Sequence, residues 1–301
     1  MSQPVIPDSL SRFVFEGASV RGARVTLAET TRTLLAPHDY PAPLARVLAE
    51  LAGAAALLAA TLKFDGSLTL QVVATGPVRL IVVECNPGLA LRGTAQWDDA
   101  RLREMSADAT LRALAGDDDQ ARLAITLDPR RDGPLYQGIV SLQPASVAST
   151  IEHYLRTSEQ IVSKLVLDAG DGTVAGLLVQ RMPASGPEDD STWQRVSAAL
   201  GAATRESVAS AAESDAGLSA LFPAEDVRVF KPAHPRFACT CSRPRVEGAL
   251  RIAGRDEIEA ALSHDGEVDV RCEFCGTHYT FTPGEARAVF DAPSGPSPTR
   301  H

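Results

Sequence analysis

Cys239-Thr240-Cys241 and Cys272-Glu273-Phe274-Cys275 hold four of the chain's five cysteines, with thirty residues between the two pairs. Zinc in structural sites takes four tetrahedral nitrogen or sulfur donors, and cysteines spaced a few residues apart supply them from tight turns. The two pairs therefore predict one zinc ion held by Cys239, Cys241, Cys272 and Cys275. The surrounding segment, residues 236–290, is short and poor in apolar side chains. Metal binding can supply the missing folding energy, on the order of 10–16 kcal/mol for structural zinc in small peptides. His234, His264 and His278 lie near the cysteines in sequence and are able to ligate, but four thiols make them unnecessary.

Two other chemistries fit the pairs less well. A dithiol redox site uses one C-x-x-C at the start of a helix. Here Cys275 runs into "GTHYTFTP", an alternating strand-like stretch, and the second pair would have no task. A nucleic-acid-binding zinc module needs a basic footprint. Residues 236–290 carry seven arginines and no lysine against nine acidic residues, so that footprint is missing. Thiolates are also the oxidisable form of cysteine, and a disulfide cannot hold zinc. Oxidation would remove the metal and the folding energy that it brings. Spacing alone leaves both an inert structural zinc and a redox switch open.

Around this segment stand elements of ordinary globular composition, 45% hydrophobic and 22% charged in 301 residues. The net charge of −9 disfavours broad binding to phosphate backbones. The start, "MSQPVIPDSL", lacks the basic and apolar pattern of a signal peptide. The most apolar stretch, Leu44 to Leu62, is Ala-rich and carries Arg46 and Glu50, which suits a buried helix better than a membrane span. These features predict a soluble cytoplasmic protein, a compartment where clustered thiols bind metal or do redox work. Cys85, in "VVECNPG", is read as a buried apolar group.

Residues 1–183 predict a mixed sheet-and-helix domain. Three hairpins are expected, around Ala74–Pro77, around Asp132-Gly133-Pro134 and around Gly170–Gly172. Many hairpins with few helices indicate an α+β fold rather than alternating βαβ units. Residues 184–235 predict a helical linker. Its Trp193, Val196, Leu200 and Ala203 recur at helical spacing on a thin, Ala-based face that should be held weakly. A small zinc-binding domain follows at 236–290, and 291–301 reads as a disordered tail. Asp117–Asp119 reads as a charged turn, and Gly170-Asp171-Gly172 as a hairpin turn rather than a phosphate loop. The chain has three lysines and no Walker-type pattern, so no ATP-driven activity and no enzymatic constellation is expected.

The cysteine arrangement in "CTCSRPR" and "RCEFCGTHYTF" resembles the 33 kDa chaperonin family, the redox-regulated heat-shock protein 33 chaperones. "RFVFEGASVRGARVTL", "HDYPAPL", "TLKFDGSLTLQ", "LRGTAQW" and "YLRTSEQ" resemble the same family's N-terminal domain, so the likeness runs to about Phe281. It implies an ATP-independent holdase that binds unfolding client proteins. It further implies that the reduced form binds zinc through the four cysteines and is inactive. Oxidation would form Cys239–Cys241 and Cys272–Cys275 disulfides, release zinc, unfold the linker and yield an active homodimer. A disulfide across C-x-C closes a very small loop and gains little chain entropy, so it should be readily reduced again. Neither a nucleic acid nor a membrane is implied as partner. The other reading of the residues is a constitutive zinc-stabilised module binding an RNA or a protein.

Overall fold

The three expected hairpins are the skeleton of a computed structural model that describes residues 7–62, 66–116, 120–129, 133–142, 146–183 and 187–291. The expected turn at Asp117–Asp119, Asp132 of the expected second hairpin turn, residues 184–186 and residues 292–301 lie outside the described residues. Contacts divide the chain into two compact units, residues 1–238 and 239–301.

The first unit runs β1 (Ser9–Phe15), β2 (Val20–Leu27), α1 (Glu29–Leu35), α2 (Ala42–Thr61), β3 (Gly66–Val73), β4 (Val78–Cys85) and β5 (Ala90–Trp97). It continues with α3 (Asp99–Arg103), α4 (Leu111–Ala115), β6 (Arg122–Pro129), β7 (Tyr136–Ser141), α5 (Val147–Thr157), β8 (Ser163–Gly170) and β9 (Thr173–Arg181). It closes with α6 (Pro187–Gly201), α7 (Arg205–Glu213), α8 (Asp215–Leu221), β10 (Val227–Val229) and β11 (Arg236–Phe237). One sheet has the order β10-β1-β2-β9-β8 and the other β11-β5-β4-β3-β6-β7. The hairpins β3–β4, β6–β7 and β8–β9 are antiparallel. The pairing of β11 with β5 is parallel. The architecture is α+β.

Between the sheets runs α2, touching strands of both. It starts at Pro41-Ala42-Pro43, where a proline in the first turn removes an N–H that would have no partner in any case. Its alanines let two sheets approach closely, and it is buried on nearly all sides. Among the described residues it is the one helix long and apolar enough to cross a membrane, yet 78% of that apolar window is buried within the fold.

The strand β9 shows how the layers form. Its sequence, TVAGLLVQR, reads as one apolar run because both of its faces are covered. Val174 and Leu178 join the core around α2. Ala175, Leu177 and Val179 join a second core on the opposite face. The stretch expected as a helical linker supplies the other half of that second core through Val196, Leu200, Val208, Ala211, Ala212, Leu218 and Phe222. Its Ala-based face meets Phe13 and Phe15 of β1. Phe222 packs edge-on against Phe15 at 5.2 Å, and Phe15 packs edge-on against Phe13 at 5.7 Å. Gly22 makes room for this stack, since a Cβ there would stand 2.2 Å from the Phe13 ring. Polar ties join the same layers. The buried Arg24 donates to the Ala211 carbonyl at 3.2 Å and pairs with Asp215, and Arg205 pairs with Asp168 at 2.7 Å.

The second unit contains α9 (Arg243–Ala253), α10 (Arg255–Asp265), β12 (Val268–Arg271), β13 (His278–Phe281) and α11 (Pro283–Asp291). β12 and β13 pair antiparallel. The core consists of Val246, Leu250, Ile258, Leu262, Val268, Phe281, Ala286 and Val289. Eight mostly small or medium side chains are a slight core for a unit of this size, and such units commonly need a metal or a cross-link.

Candidate metal centre

Two tight turns face each other in the second unit. Cys239-Thr240-Cys241 precedes α9, and Cys272–Cys275 links β12 to β13. In the second turn the Gly276 amide donates to the Cys272 carbonyl at 2.8 Å, and the Cys272 amide donates to the Thr277 carbonyl at 2.9 Å. Gly276 has φ +72°, a left-handed conformation that glycine adopts without a steric penalty, so this residue lets the chain reverse into β13. Arg243 pins the approach to α9. It lies 4.1 Å over the Phe281 ring, donates to the Thr280 carbonyl at 3.1 Å and pairs with Glu285 at 2.9 Å. Arg245 reaches back to the Thr240 hydroxyl at 2.5 Å.

The result brings all four sulfurs within 4.8 Å of one another, each half-buried. The closest approaches run across the pairs, with Cys239 Sγ and Cys272 Sγ 3.7 Å apart and Cys241 Sγ and Cys275 Sγ 3.4 Å apart. These are free thiols, far beyond the S–S bond length of about 2.05 Å. A tetrahedron of sulfurs about 2.3 Å from a central zinc has edges of about 3.8 Å. The donor set and its spacing therefore fit one tetrahedral ion with little adjustment.

Burial and neighbouring groups shift the thiols in different directions. Burial pushes the Cys239 thiol up to about 12, against the pull of the Cys241 amide. Burial likewise raises Cys272, opposed by the amides of Cys275 and Phe274. Cys275 goes the other way. Burial raises it, but the Thr277 hydroxyl and amide and the neighbouring Cys241 and Cys239 thiols outweigh this and bring it down to about 6. A divalent cation binds thiolates, so loading this site releases protons, and affinity falls as the pH falls.

None of the three nearby histidines joins the cluster. His278 Nδ1 lies 2.8 Å from the Asp269 carboxylate, and His264 Nδ1 lies 2.7 Å from that of Asp265. His234 belongs to the first unit, where its Nδ1 lies 3.1 Å from the Asp8 carbonyl. Cys85 is buried at the end of β4, 1% exposed, and burial pushes its thiol up to about 12. Two polar contacts were not anticipated from the sequence. The Tyr279 hydroxyl donates to Cys241 Sγ at 3.2 Å, and the Thr277 hydroxyl oxygen lies 3.2 Å from Cys275 Sγ. The alternation in "GTHYTF" was the available signal, since it places Thr277, Tyr279 and the buried Phe281 on one face.

The pattern of the Hsp33 protein family matches residues 8–282, a span that includes all four cysteines. The chain belongs to the Hsp33 family. A 33 kDa chaperonin of Chromobacterium violaceum is 40% identical over 288 residues, covering 94% of each chain. A 33 kDa chaperonin of Escherichia coli is 36% identical over 298 residues, covering 98% of this chain and 99% of its own. A crystal structure of the 33 kDa chaperonin from Thermotoga maritima shares the fold, with a TM-score of 0.77, 20% identity and coverage of 94% of this chain and 98% of that one. Family membership makes this protein a chaperone. As an Hsp33 family member it places a four-thiol cluster, compatible with zinc binding and with redox-active disulfides, in a unit whose own core is slight.

Proposed function

We propose that this chain is a redox-regulated, ATP-independent holdase of the cytoplasm. It binds unfolding proteins under oxidative stress and prevents their aggregation. The observation that carries the reading is the convergence of Cys239, Cys241, Cys272 and Cys275 within 4.8 Å in a unit with a slight core. In the reduced state the four cysteines hold one zinc ion, which supplies folding energy to residues 236–290. Two equivalents of hydrogen peroxide take four electrons from the four thiols. Two disulfides form, Cys239–Cys241 and Cys272–Cys275, and the peroxide becomes four molecules of water. The donors for the metal are then gone.

The proposal divides the chain by task into a chaperone core at 1–183, a metastable linker at 184–235 and a switch domain at 236–290. The second core of the first unit supports it. Phe13, Phe15, Leu177 and Val179 are covered by the helices of the linker stretch. Displacing those helices exposes a contiguous apolar surface, which is the physical requirement for holding unfolded chains. Active subunits act as homodimers, without ATP, nucleic acid or a membrane as partner.

The test is light scattering of a thermally unfolding enzyme with this protein added reduced and zinc-loaded, or oxidised by peroxide. Suppression by the oxidised form alone is expected. Equal suppression by both forms would refute the switch and leave a constitutive, zinc-stabilised binding module.

A further inference from the structure

We infer that the hydroxyls of Tyr279 and Thr277 restrain oxidation of the second cysteine in each pair, Cys241 and Cys275. The inference rests on the redox reading of this site and adds what sets its sensitivity. The four sulfurs are not equivalent. The second cysteine of each pair meets a side-chain hydroxyl, Cys241 that of Tyr279 and Cys275 that of Thr277. Both hydroxyls come from one stretch of chain. Residues 277 and 279 share a face, and β13 is registered on β12 through Tyr279 opposite Val270. β13 and the residue just before it thus reach a sulfur of each pair.

The chemistry follows from what a thiolate must do. Its sulfur attacks one peroxide oxygen, an S–O bond forms, the O–O bond breaks, and the departing hydroxide takes a proton to become water. The other cysteine of the pair then attacks the resulting sulfenic sulfur. The S–S bond forms, the S–O bond breaks, and a second water leaves. Each disulfide withdraws two electrons, which reduce one peroxide. A hydroxyl donating to the attacking sulfur occupies a lone pair and draws charge from it, and the hydrogen bond must weaken as the S–O bond forms. A thiolate has no proton to give, so the hydroxyl is the donor in that state. Charge-assisted bonds of this kind are the stronger class. Tyr279 is partly buried beside the cluster.

The substitution Tyr279→Phe keeps the ring and removes the hydroxyl. Reduced, zinc-loaded, full-length protein is mixed with peroxide. Zinc release is followed with a chromogenic chelator, and disulfide order by quenching and mass spectrometry. The variant should release zinc about ten- to a hundredfold faster, as expected for loss of one hydrogen bond to a charged group. Its Cys239–Cys241 bond should form earlier. Thr277→Val should advance Cys272–Cys275 instead. Oxidation of Tyr279→Phe at the wild-type rate or slower would overturn the inference alone. So would an equal acceleration of zinc loss to the chelator without peroxide, which would mark the hydroxyl as structural. A wild-type protein that forms no disulfide under peroxide would overturn both this inference and its parent reading.

Discussion

Phe222→Ala is the substitution that most directly probes how the linker helices are held in the reduced protein. Phe222 is 2% exposed and ends α8 between Phe15 and Phe13, with ring centroids 5.2 and 6.5 Å away. Truncating a buried phenylalanine costs about 3–5 kcal/mol, including the cavity that it leaves. At about 1.4 kcal/mol per tenfold, this raises the population with the helices detached by roughly two to three and a half powers of ten. The rest of the first unit keeps its core around α2, so the effect should be local. Hydrogen exchange of the reduced protein should show amide protection lost across residues 190–222 and retained in α2 and β9. On the proposed mechanism the same variant should suppress client aggregation without peroxide. Wild-type protection in 190–222 would refute the packing argument. Lost protection without gain of chaperone activity would refute the claim that these helices cover the client surface.

Other contacts of the two units give further expected outcomes. Arg24→Ala should cost about 1–3 kcal/mol in urea unfolding, because it removes a buried donor to the Ala211 carbonyl. Asp215→Ala should cost less than about 1 kcal/mol, since the carboxylate partner is 72% exposed. Gly217→Ala should also loosen the linker helices. The new methyl would stand 2.1 Å from the Ser210 carbonyl, a backbone atom that cannot swing aside, and reduced-state hydrogen exchange checks it. Stripping the metal with a chelator should collapse NMR amide dispersion for residues 239–291 and leave that of α2 and β9 in place. Cys272→Ser should lose both zinc and the peroxide response, whereas Cys85→Ala should keep both, because its thiol is sealed in the first core.

What could be read from the sequence depended on whether the signal was local. The four cysteines carry their chemistry in their spacing. The hairpins β3–β4, β6–β7 and β8–β9 each announce themselves by a turn between two β-branched runs, and α2 by an unbroken Ala/Leu stretch. Long-range pairing left no such mark. β11 is two residues long and pairs with β5 across more than a hundred residues of chain, which nothing in Arg236-Phe237 reveals. The linker stretch reads as weakly held because its own face is mostly alanine. Its partners Phe13 and Phe15 come from β1, at the far end of the chain, so the packing is a property of the pair of segments. The hydroxyls at Cys241 and Cys275 were missed for a related reason. Thr277 and Tyr279 read as ordinary strand residues until the two turns are brought together.

The central claim is that one event, oxidation of the four thiols, empties the metal site and switches on client binding. A peroxide titration that reads zinc content, free thiols and suppression of client scattering in the same samples tests it most directly. The account predicts that one zinc and four thiols are lost together, and that suppression rises in proportion to that loss. Full suppression in samples that still hold their zinc and all four thiols would contradict it, as would complete loss of both with no suppression.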